Sequence, residues 1–373
     1  MHKKIVLYGQ SDHDNFGDSL IYLEYINLLK RIAPEIEPMI YGCSNIFSDR
    51  LVNENASFGI IPLGAPLPSD VLAHIFVPGG YFGCPDLTDI MWQKNWAKKN
   101  IISHAIRSSL SAPAPRLIHG VEFGPRLKPI VFGKIKSLLM STNKKRIYSR
   151  NSGSSDYANK NLGVSPNTLP DFILGCSIEP PKEALFELGI HATGKVFGNN
   201  IFAKNFRKCL LQSILKRDLN KVCIFSDQKI KPEHTPAIFA TTELLEAHGI
   251  NVQTRNYEGI SETLKTISEC KTVITTKLHV GVCAIVYKNK SICFSSHPKL
   301  YRFYKDNGLV ERIESYFLST NHRKITKILQ TLDADWEEYS NQQLIKNLNS
   351  TGNEYLKSLS DFLNGIAHET RTP

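Results

Sequence analysis

The chain has 373 residues, of which 42% are hydrophobic and 21% are charged, a composition that excludes disordered and collagen-like proteins. At roughly 100 to 200 residues per domain, the length predicts two domains. Lys and Arg outnumber Asp and Glu by 45 to 35, a net charge of +10, so we expect the surface to attract phosphate, carboxylate or an acidic membrane face.

The cysteines and the first residues indicate a reducing, cytoplasmic compartment. Eight cysteines contain no CxxC pair, which argues against a zinc ribbon or a thioredoxin-type site. The N-terminal segment lacks the long apolar stretch of a signal peptide, and no run of 18 apolar residues occurs in the sequence. We therefore expect neither export nor a transmembrane segment, and no metal site.

The first half of the chain alternates short apolar runs with longer helical patterns, which predicts βα units feeding a mainly parallel sheet. Strands are predicted at residues 5–8, 38–41, 74–78, 116–121 and 146–149. Helices are predicted at residues 17–31, 86–110 and 127–140.

A Gly- and Pro-rich segment at 175–194 interrupts this alternation and predicts a domain boundary. A second series of strands is predicted at 195–198, 222–226, 251–255, 272–275 and 291–294, with helices at 202–216, 236–248, 260–270, 279–287 and 300–307. The prediction is an α/β protein with two Rossmann-like doubly wound domains, residues 1–178 and 179–320. Residues 321–373 would form a C-terminal tail of two or three amphipathic helices.

Doubly wound sheets bind ligands beyond the carboxyl ends of their strands, so chemistry is expected in the strand-to-helix loops. In the first loop, Asn15, Gly17 and Asp18 precede a helix whose exposed amides attract anions; an ordinary capped helix start explains them equally well. In the second loop, Gly79 and Gly80 allow close approach of a ligand, although a plain turn uses the same residues.

The other two loops lie in the second half. Lys277 and His279 stand at a predicted helix start, where an ammonium binds an anion and an imidazole transfers a proton. His297 and Lys299 follow the next strand. A structural histidine and a solvated turn are the alternatives for these two loops.

Taken in order, these segments resemble the polysaccharide pyruvyl transferase family over about residues 4 to 310. The matching pieces are Asn15-Phe16-Gly17-Asp18, Gly79-Gly80, Gly120-Val121-Glu122-Phe123-Gly124-Pro125, Ser149-Arg150, Pro170-Asp171-Phe172, Thr276-Lys277-Leu278-His279-Val280-Gly281 and Lys299.

The resemblance implies an architecture similar to GT-B glycosyltransferases. It further implies transfer of pyruvyl from phosphoenolpyruvate to a sugar diol of a cell-surface glycan or its lipid-linked precursor, giving a cyclic ketal. His279 would then be the general acid and base, and Lys277, Lys299 and His297 would bind the donor. Asp18 or Asp86 would accept the hydroxyl proton, and no cofactor is needed beyond the donor substrate.

Three positions depart from the family pattern and leave rival functions open. Lys277 stands where the family commonly has Arg, Asn151 where an acidic residue is common, and Tyr81 where a third Gly is usual. Because Lys cannot grip an anion in the bidentate way of Arg, a GT-B-type glycosyltransferase using a nucleotide sugar is the alternative.

A basic glycan- or membrane-binding protein without activity is the third candidate, and nucleic acid ranks below all three. The positive charge and the amphipathic tail predict peripheral attachment to the inner membrane. Packing of the tail across the two domains would equally explain its pattern.

Overall fold

A computed structural model describes residues 3–83, 100–124, 129–141, 145–176, 183–295, 297–315, 327 and 341–369. The chain forms two compact units, Met1–Cys176 together with Asn347–Pro373, and Ser177–Lys346. The chain thus leaves the first unit two residues before the expected boundary at 178 and returns to it at Asn347. The end of the chain therefore belongs to the first unit rather than to a separate tail.

The first unit contains a parallel sheet of eight strands. They are β1 (Lys3–Tyr8), β2 (Ile36–Tyr41), β3 (Gly59–Ile61), β4 (Val71–Phe76), β5 (Gly79–Phe82), β6 (Arg116–Phe123), β7 (Lys145–Ser149) and β8 (Asn167–Thr168). Their order is β3-β2-β1-β4-β6-β7-β8, with β5 beside β6. The order reverses between β1 and β4, the place at which doubly wound sheets bind ligands.

Helices in the described part of the first unit pack on this sheet. They are α1 (Phe16–Ile32), α2 (Asn45–Asn53), α3 (Ile101–Leu110), α4 (Pro129–Met140) and α5 (Ser152–Tyr157). The core between sheet and helices includes Tyr8, Phe76, Phe123, Ile106 and Ile135. The predicted strands of this half and the helices expected at 17–31 and 127–140 are confirmed over their described residues. The helix expected at 86–110 instead begins at Ile101 after its N-cap Asn100, and residues 86–99 lie outside the described residues.

The second unit repeats the doubly wound order. Its strands are β9 (Phe186–His191), β10 (Lys221–Phe225), β11 (Asn251–Arg255), β12 (Cys270–Thr275), β13 (Lys290–Phe294) and β14 (Ile313–Glu314), in the order β11-β10-β9-β12-β13-β14. Its helices are α6 (Gly194–Phe197), α7 (Ile201–Ile214), α8 (Thr235–Glu246), α9 (Ile260–Ser268), α10 (Leu278–Val286) and α11 (Pro298–Asp306). Here the reversal falls between β9 and β12.

The start of the second unit corrects the sequence prediction. Residues 195–198 are not a strand, because Gly194–Phe197 forms the short helix α6; an apolar run of this length does not distinguish strand from helix by its period. The first strand is instead β9, inside the segment expected as a boundary. Gly189 lies in the middle of β9, where a Cβ atom would stand 2.7 Å from Cys270 Sγ. This glycine therefore serves close packing and does not break the strand.

Residues Gln342–Glu369 form one long helix, α12, and most of residues 321–340, the rest of the predicted helical tail, lie outside the described residues. Its apolar side chains Tyr355, Leu359 and Phe362 are buried. The Tyr355 hydroxyl donates to the Pro170 carbonyl at 3.1 Å, a contact inside the first unit. The apolar face that suggested membrane attachment is therefore covered by protein.

Candidate active site

Polar side chains meet at one edge of the second sheet. His191 is the last residue of β9 and Thr275 the last of β12, while Asp227 follows β10 closely and Lys277 precedes the first residue of α10. Because β10, β9 and β12 are adjacent parallel strands, their carboxyl ends bring these four residues together at the reversal point of the sheet. We call these four residues the Lys277 network.

Asp227 is the centre of the Lys277 network. Its Oδ1 lies 3.0 Å from Nε2 of His191, and its Oδ1 and Oδ2 each lie 2.9 Å from the Lys277 ammonium. A third acceptor, Oε1 of Gln228, stands 3.1 Å from the same ammonium. The Asp227 side chain is 2% exposed and that of Lys277 is 31% exposed, so the network joins a buried carboxylate to a cation that reaches the surface.

The charge of Asp227 is maintained by these partners. Burial alone would raise the pKa of its carboxyl group, but His191 and Lys277 hold the pKa well below its usual range. Asp227 is thus an ionised acceptor at neutral pH.

His279, the expected acid and base, lies in the first turn of α10, two residues after Lys277, and is half-buried. The Thr193 and Thr276 hydroxyls are 2.9 Å apart beside this helix start. The N-terminus of α10 adds the partial positive charge of its amides to that of the Lys277 ammonium. The start of α10 thus holds an ammonium, paired with Asp227, and an imidazole on the same turn.

His297 and Lys299 lie at the end of β13, the neighbour of β12. His297 is the N-cap of α11, and its Nδ1 accepts a hydrogen bond from the Lys299 amide at 3.3 Å. This histidine therefore has a structural task, whereas Lys299 occupies the first turn of α11 at the same edge of the sheet. Their binding of a donor stays a prediction.

In the first unit, Asn15 caps α1 by accepting from the Gly17 amide at 3.1 Å, and its Nδ2 donates to Asp18 at 2.8 Å. Gly79 and Gly80 begin the short strand β5 and do not form an open loop. Asp86 lies outside the described residues. The structure thus gives Asn15 a capping role in which Asp18 orients its side chain, and the part of both residues in catalysis stays a prediction.

A buried ion cluster in the first unit joins three of the segments that carry the family resemblance but were given no role in the sequence analysis. Arg150 Nη2 lies 3.0 Å from Glu122 and Nη1 lies 3.6 Å from Asp171, and all three side chains are nearly inaccessible. Burial alone would lower the pKa of Arg150, but Glu122 and Asp171 raise it. Asn151, where the family commonly has an acid, donates to Glu122 at 2.6 Å. The signal available in the sequence was the position of these residues at or just after the carboxyl ends of successive strands, with Glu122 in β6, Arg150 after β7 and Asp171 after β8.

The comparisons with known proteins agree with the resemblance. The model of the family described as polysaccharide pyruvyl transferase matches residues 15–298. The chain belongs to the polysaccharide pyruvyl transferase family. The match contains both the capped start of α1 and the Lys277-His279 segment of this family member. A comparison with curated proteins finds no match.

Solved structures similar to this pyruvyl transferase family member share its fold at about one-tenth sequence identity. A putative UDP-N-acetylglucosamine 2-epimerase from Listeria monocytogenes has a TM-score of 0.63 and 10% identity, covering 100% of this chain and 98% of that chain. The UDP-GlcNAc 2-epimerase from Neisseria meningitidis, bound to UDP-GlcNAc, also has a TM-score of 0.63 and 10% identity, with coverages of 97% and 100%. Anabaena HepE, in complex with UDP and glucose, has a TM-score of 0.55 and 10% identity, covering both chains fully. The predicted two-domain, GT-B-like fold is confirmed.

Across the described residues, no helix has the length and apolar character needed to cross a membrane.

Proposed function

We propose that this transferase moves a pyruvyl group from phosphoenolpyruvate onto two hydroxyls of a sugar, in a cell-surface glycan or its lipid-linked precursor. The observation that carries the proposal is the family match over residues 15–298. It is supported by the half-buried His279 and the Lys277 ammonium at the start of α10. The N-terminus of a helix, a cation and an imidazole suit an anionic donor that must be protonated.

The reaction needs a proton donor, cations that bind the phosphate and carboxylate of the donor, and an acceptor whose two hydroxyls are positioned beside it. His279 gives a proton to the methylene carbon of the donor, whose second carbon becomes electrophilic. One acceptor hydroxyl attacks that carbon, the carbon–oxygen bond to phosphate breaks, and the second hydroxyl closes the ketal. Of the two hydroxyl protons, one replaces the proton that His279 gave and the other leaves with phosphate. Lys277 and Lys299 offset the charges of phosphate and carboxylate.

The direct test incubates the protein with phosphoenolpyruvate and a panel of glycans and lipid-linked saccharides that carry free diols. We expect release of inorganic phosphate together with a product that has gained one pyruvate less one water. Phosphate release without this product, or no release with any acceptor, would contradict the proposal.

A GT-B-type glycosyltransferase using a nucleotide sugar is the second candidate. It is favoured by the contacts of Lys277, whose ammonium already faces the Asp227 carboxylate and Gln228 and so carries less uncompensated charge. A thermal-shift screen separates the two candidates, because a ligand at about 100 times its Kd stabilises a protein by ~2.7 kcal/mol. Stabilisation by phosphoenolpyruvate favours pyruvyl transfer, whereas stabilisation by a nucleotide sugar alone favours glycosyl transfer.

Peripheral contact with the inner membrane is a further part of the proposal, and helix α7 is the best candidate for it. The sequence from 189 to 217 carries six Lys and Arg residues and no Asp or Glu. The helix begins with Ile201 and Phe202, which are 63% and 44% exposed. Bulky apolar groups beside basic ones suit an anionic bilayer surface.

Sedimentation with vesicles that contain anionic lipid tests this contact. We expect the double substitution Ile201→Ser with Phe202→Ser to reduce the bound fraction, and high salt to do the same. The control is Phe239→Ser, which changes an aromatic residue on α8 that is 62% exposed. Equal binding by the wild type, the double variant and the control would show that α7 does not contact the membrane.

A further inference from the structure

Asp227, His191 and Thr275 have no place in the chemistry proposed above, yet they are almost completely buried around one residue of it. We propose that Asp227 is a positioning residue that holds the Lys277 ammonium in place for the donor anion, with His191 and Thr275 as its support. This inference rests on the proposed function of the Lys277 and His279 segment.

The contacts of the Lys277 network form a closed circuit that starts and ends at Lys277. The Lys277 amide donates to Thr275 Oγ1 at 3.0 Å. The Thr275 hydroxyl lies 2.9 Å from Nδ1 of His191, and Nε2 of His191 lies 3.0 Å from Asp227. Asp227 then contacts the Lys277 ammonium at 2.9 Å. The backbone and the side-chain tip of Lys277 are therefore fixed by the same buried set.

Thr275 and Asp227 define the two ends of this circuit. An ionised carboxylate only accepts hydrogen bonds, and His191 Nε2 faces Asp227 at ion-pair distance without the alignment of a hydrogen bond. The Thr275 hydroxyl lies 2.9 Å from Nδ1 of His191 and donates to the Lys277 carbonyl at 3.3 Å. Thr275 Oγ1 also accepts from the Lys277 amide. Thr275 therefore connects the backbone of Lys277 to His191.

Restricting the Lys277 ammonium before the donor binds matters because a lysine side chain is flexible. A lysine side chain has four rotatable bonds and carries about 2 kcal/mol of rotamer entropy, part of which is lost when it closes on a ligand. Arginine carries similar rotamer entropy, but its planar fork is pre-organised and loses less of it for each hydrogen bond formed. In this chain, Asp227 and Gln228 restrict the lysine from the buried side while 31% of its side chain stays exposed. Buried acceptors therefore compensate for the flexibility of lysine at this position.

A double-mutant cycle tests whether Asp227 acts through Lys277. The variants are Asp227→Asn, Lys277→Met and the double variant, with exposed Asp218→Asn and Lys271→Met as matched controls. We expect each single change to lower kcat/KM at least about tenfold and the double variant to be no worse than Lys277→Met, because residues that act as a unit are not additive. Losses that add fully would overturn the inference. The wild type's own turnover of phosphoenolpyruvate, measured in the same assay, decides the proposed function separately.

A second readout needs no donor and no turnover. The Asp227 carboxylate and Gln228 hold the Lys277 side-chain nitrogen at 2.9 to 3.1 Å, so a lysine-directed acylating reagent should modify it slowly. Peptide mass spectrometry of the Asp227→Asn variant should show Lys277 acylated several-fold faster than in the wild type, relative to Lys271 in the same chain. Circular dichroism and the thermal midpoint confirm that the variant is folded. An unchanged relative rate in a folded variant would overturn the inference whatever the donor proves to be.

Discussion

At the scale of single residues, His279 and Lys277 differ in what surrounds them. Lys277 is held by three acceptor atoms, and its backbone is held by Thr275. His279 is half-buried on the following turn, and its Nε2 atom is inaccessible to solvent. In the proposed function, a fixed cation and an imidazole on one helix turn supply what proton transfer to a bound anion requires.

His279→Ala should abolish turnover while leaving phosphoenolpyruvate binding in place. General acid and base groups typically contribute about 10²- to 10⁴-fold to a rate, and we expect a loss of this size in kcat. Calorimetric titration with the donor measures the binding that should remain. His248→Ala, which changes an exposed histidine of the same unit, is the control. Retained turnover in His279→Ala would assign the proton to another group.

His119 should make the stability of the first unit depend on pH. Burial lowers its pKa to about 3, against ~6.5 in an unfolded chain, so the unfolded state binds the proton first. The contribution of neutral His119 is full above pH ~6.5 and is lost as the pH falls towards 3, by ~3 kcal/mol at pH 4. Urea unfolding at pH 7 and pH 4 measures the change in the free energy of unfolding.

The variant His119→Gln isolates this residue from other acid-sensitive groups. It should be less stable at pH 7, because His119 contacts Tyr25 and Ser358 in the core. Its stability should nevertheless fall less between pH 7 and pH 4 than that of the wild type. His74, whose pKa burial lowers to about 4, accounts for part of the remaining dependence. An equal fall in both proteins would contradict the assignment.

At the scale of elements, strand β6 and helix α12 depend on each other through one glycine. Gly120 has a φ of +68°, a backbone conformation that residues with a side chain rarely adopt. A Cβ atom at this position would stand 2.0 Å from the Tyr355 hydroxyl oxygen. Gly120 is therefore needed for two reasons: β6 has a left-handed backbone conformation at this residue, and Tyr355 of α12 packs directly against it.

Gly120→Ala should destabilise the first unit by more than the ~1–2 kcal/mol of the left-handed backbone alone, because Tyr355 must also move. The thermal midpoint and hydrogen exchange of α12 measure the effect. Gly133→Ala is the control, since nothing lies within 4 Å of a Cβ at that helical position. Adding Tyr355→Phe should recover part of the loss in Gly120→Ala, and a lack of recovery would mean that the hydroxyl is not the obstacle.

At the scale of the whole molecule, the first compact unit is built from two segments that are not consecutive in sequence. The first unit is completed by residues that follow the whole second unit in sequence. Tyr355, Leu359, Phe362, Leu363 and Ile366 of α12 are buried, and each buried apolar side chain of this size contributes ~1.5–3 kcal/mol. Their sum is comparable to the roughly 5–15 kcal/mol that stabilises an ordinary protein.

A chain that ends at residue 346 should therefore fail to fold its first unit, although residues 1–176 are intact. We expect low soluble yield and loss of protection from hydrogen exchange in β1 and β6. A chain that ends at Glu369 is the control and should behave as the full chain. Normal protection of β1 and β6 in the shorter chain would show that α12 is dispensable.

The sequence by itself determined the α/β class, most strands and helices, and the two series of βα units. These follow from local hydrophobic period and from caps such as Asn15, which act over a few residues. Strand β9 was missed because the Gly- and Pro-rich segment that contains Gly189 was interpreted as a boundary, whereas Gly189 packs against Cys270, 81 residues away in the chain. The sequence pattern around Gly189 does not indicate that Cys270 packs against it.

Only the tertiary structure decided which polar residues meet. Lys277 and His279 were found by their position after a strand, but Asp227 and His191 were not, because their partners lie on other strands. The order of strands in a sheet sets these contacts, and that order is not contained in the spacing along the chain. The same holds for α12, whose amphipathic pattern predicted a helix and an apolar face but not what would cover it. Contacts between residues far apart in sequence are fixed by the assembled core.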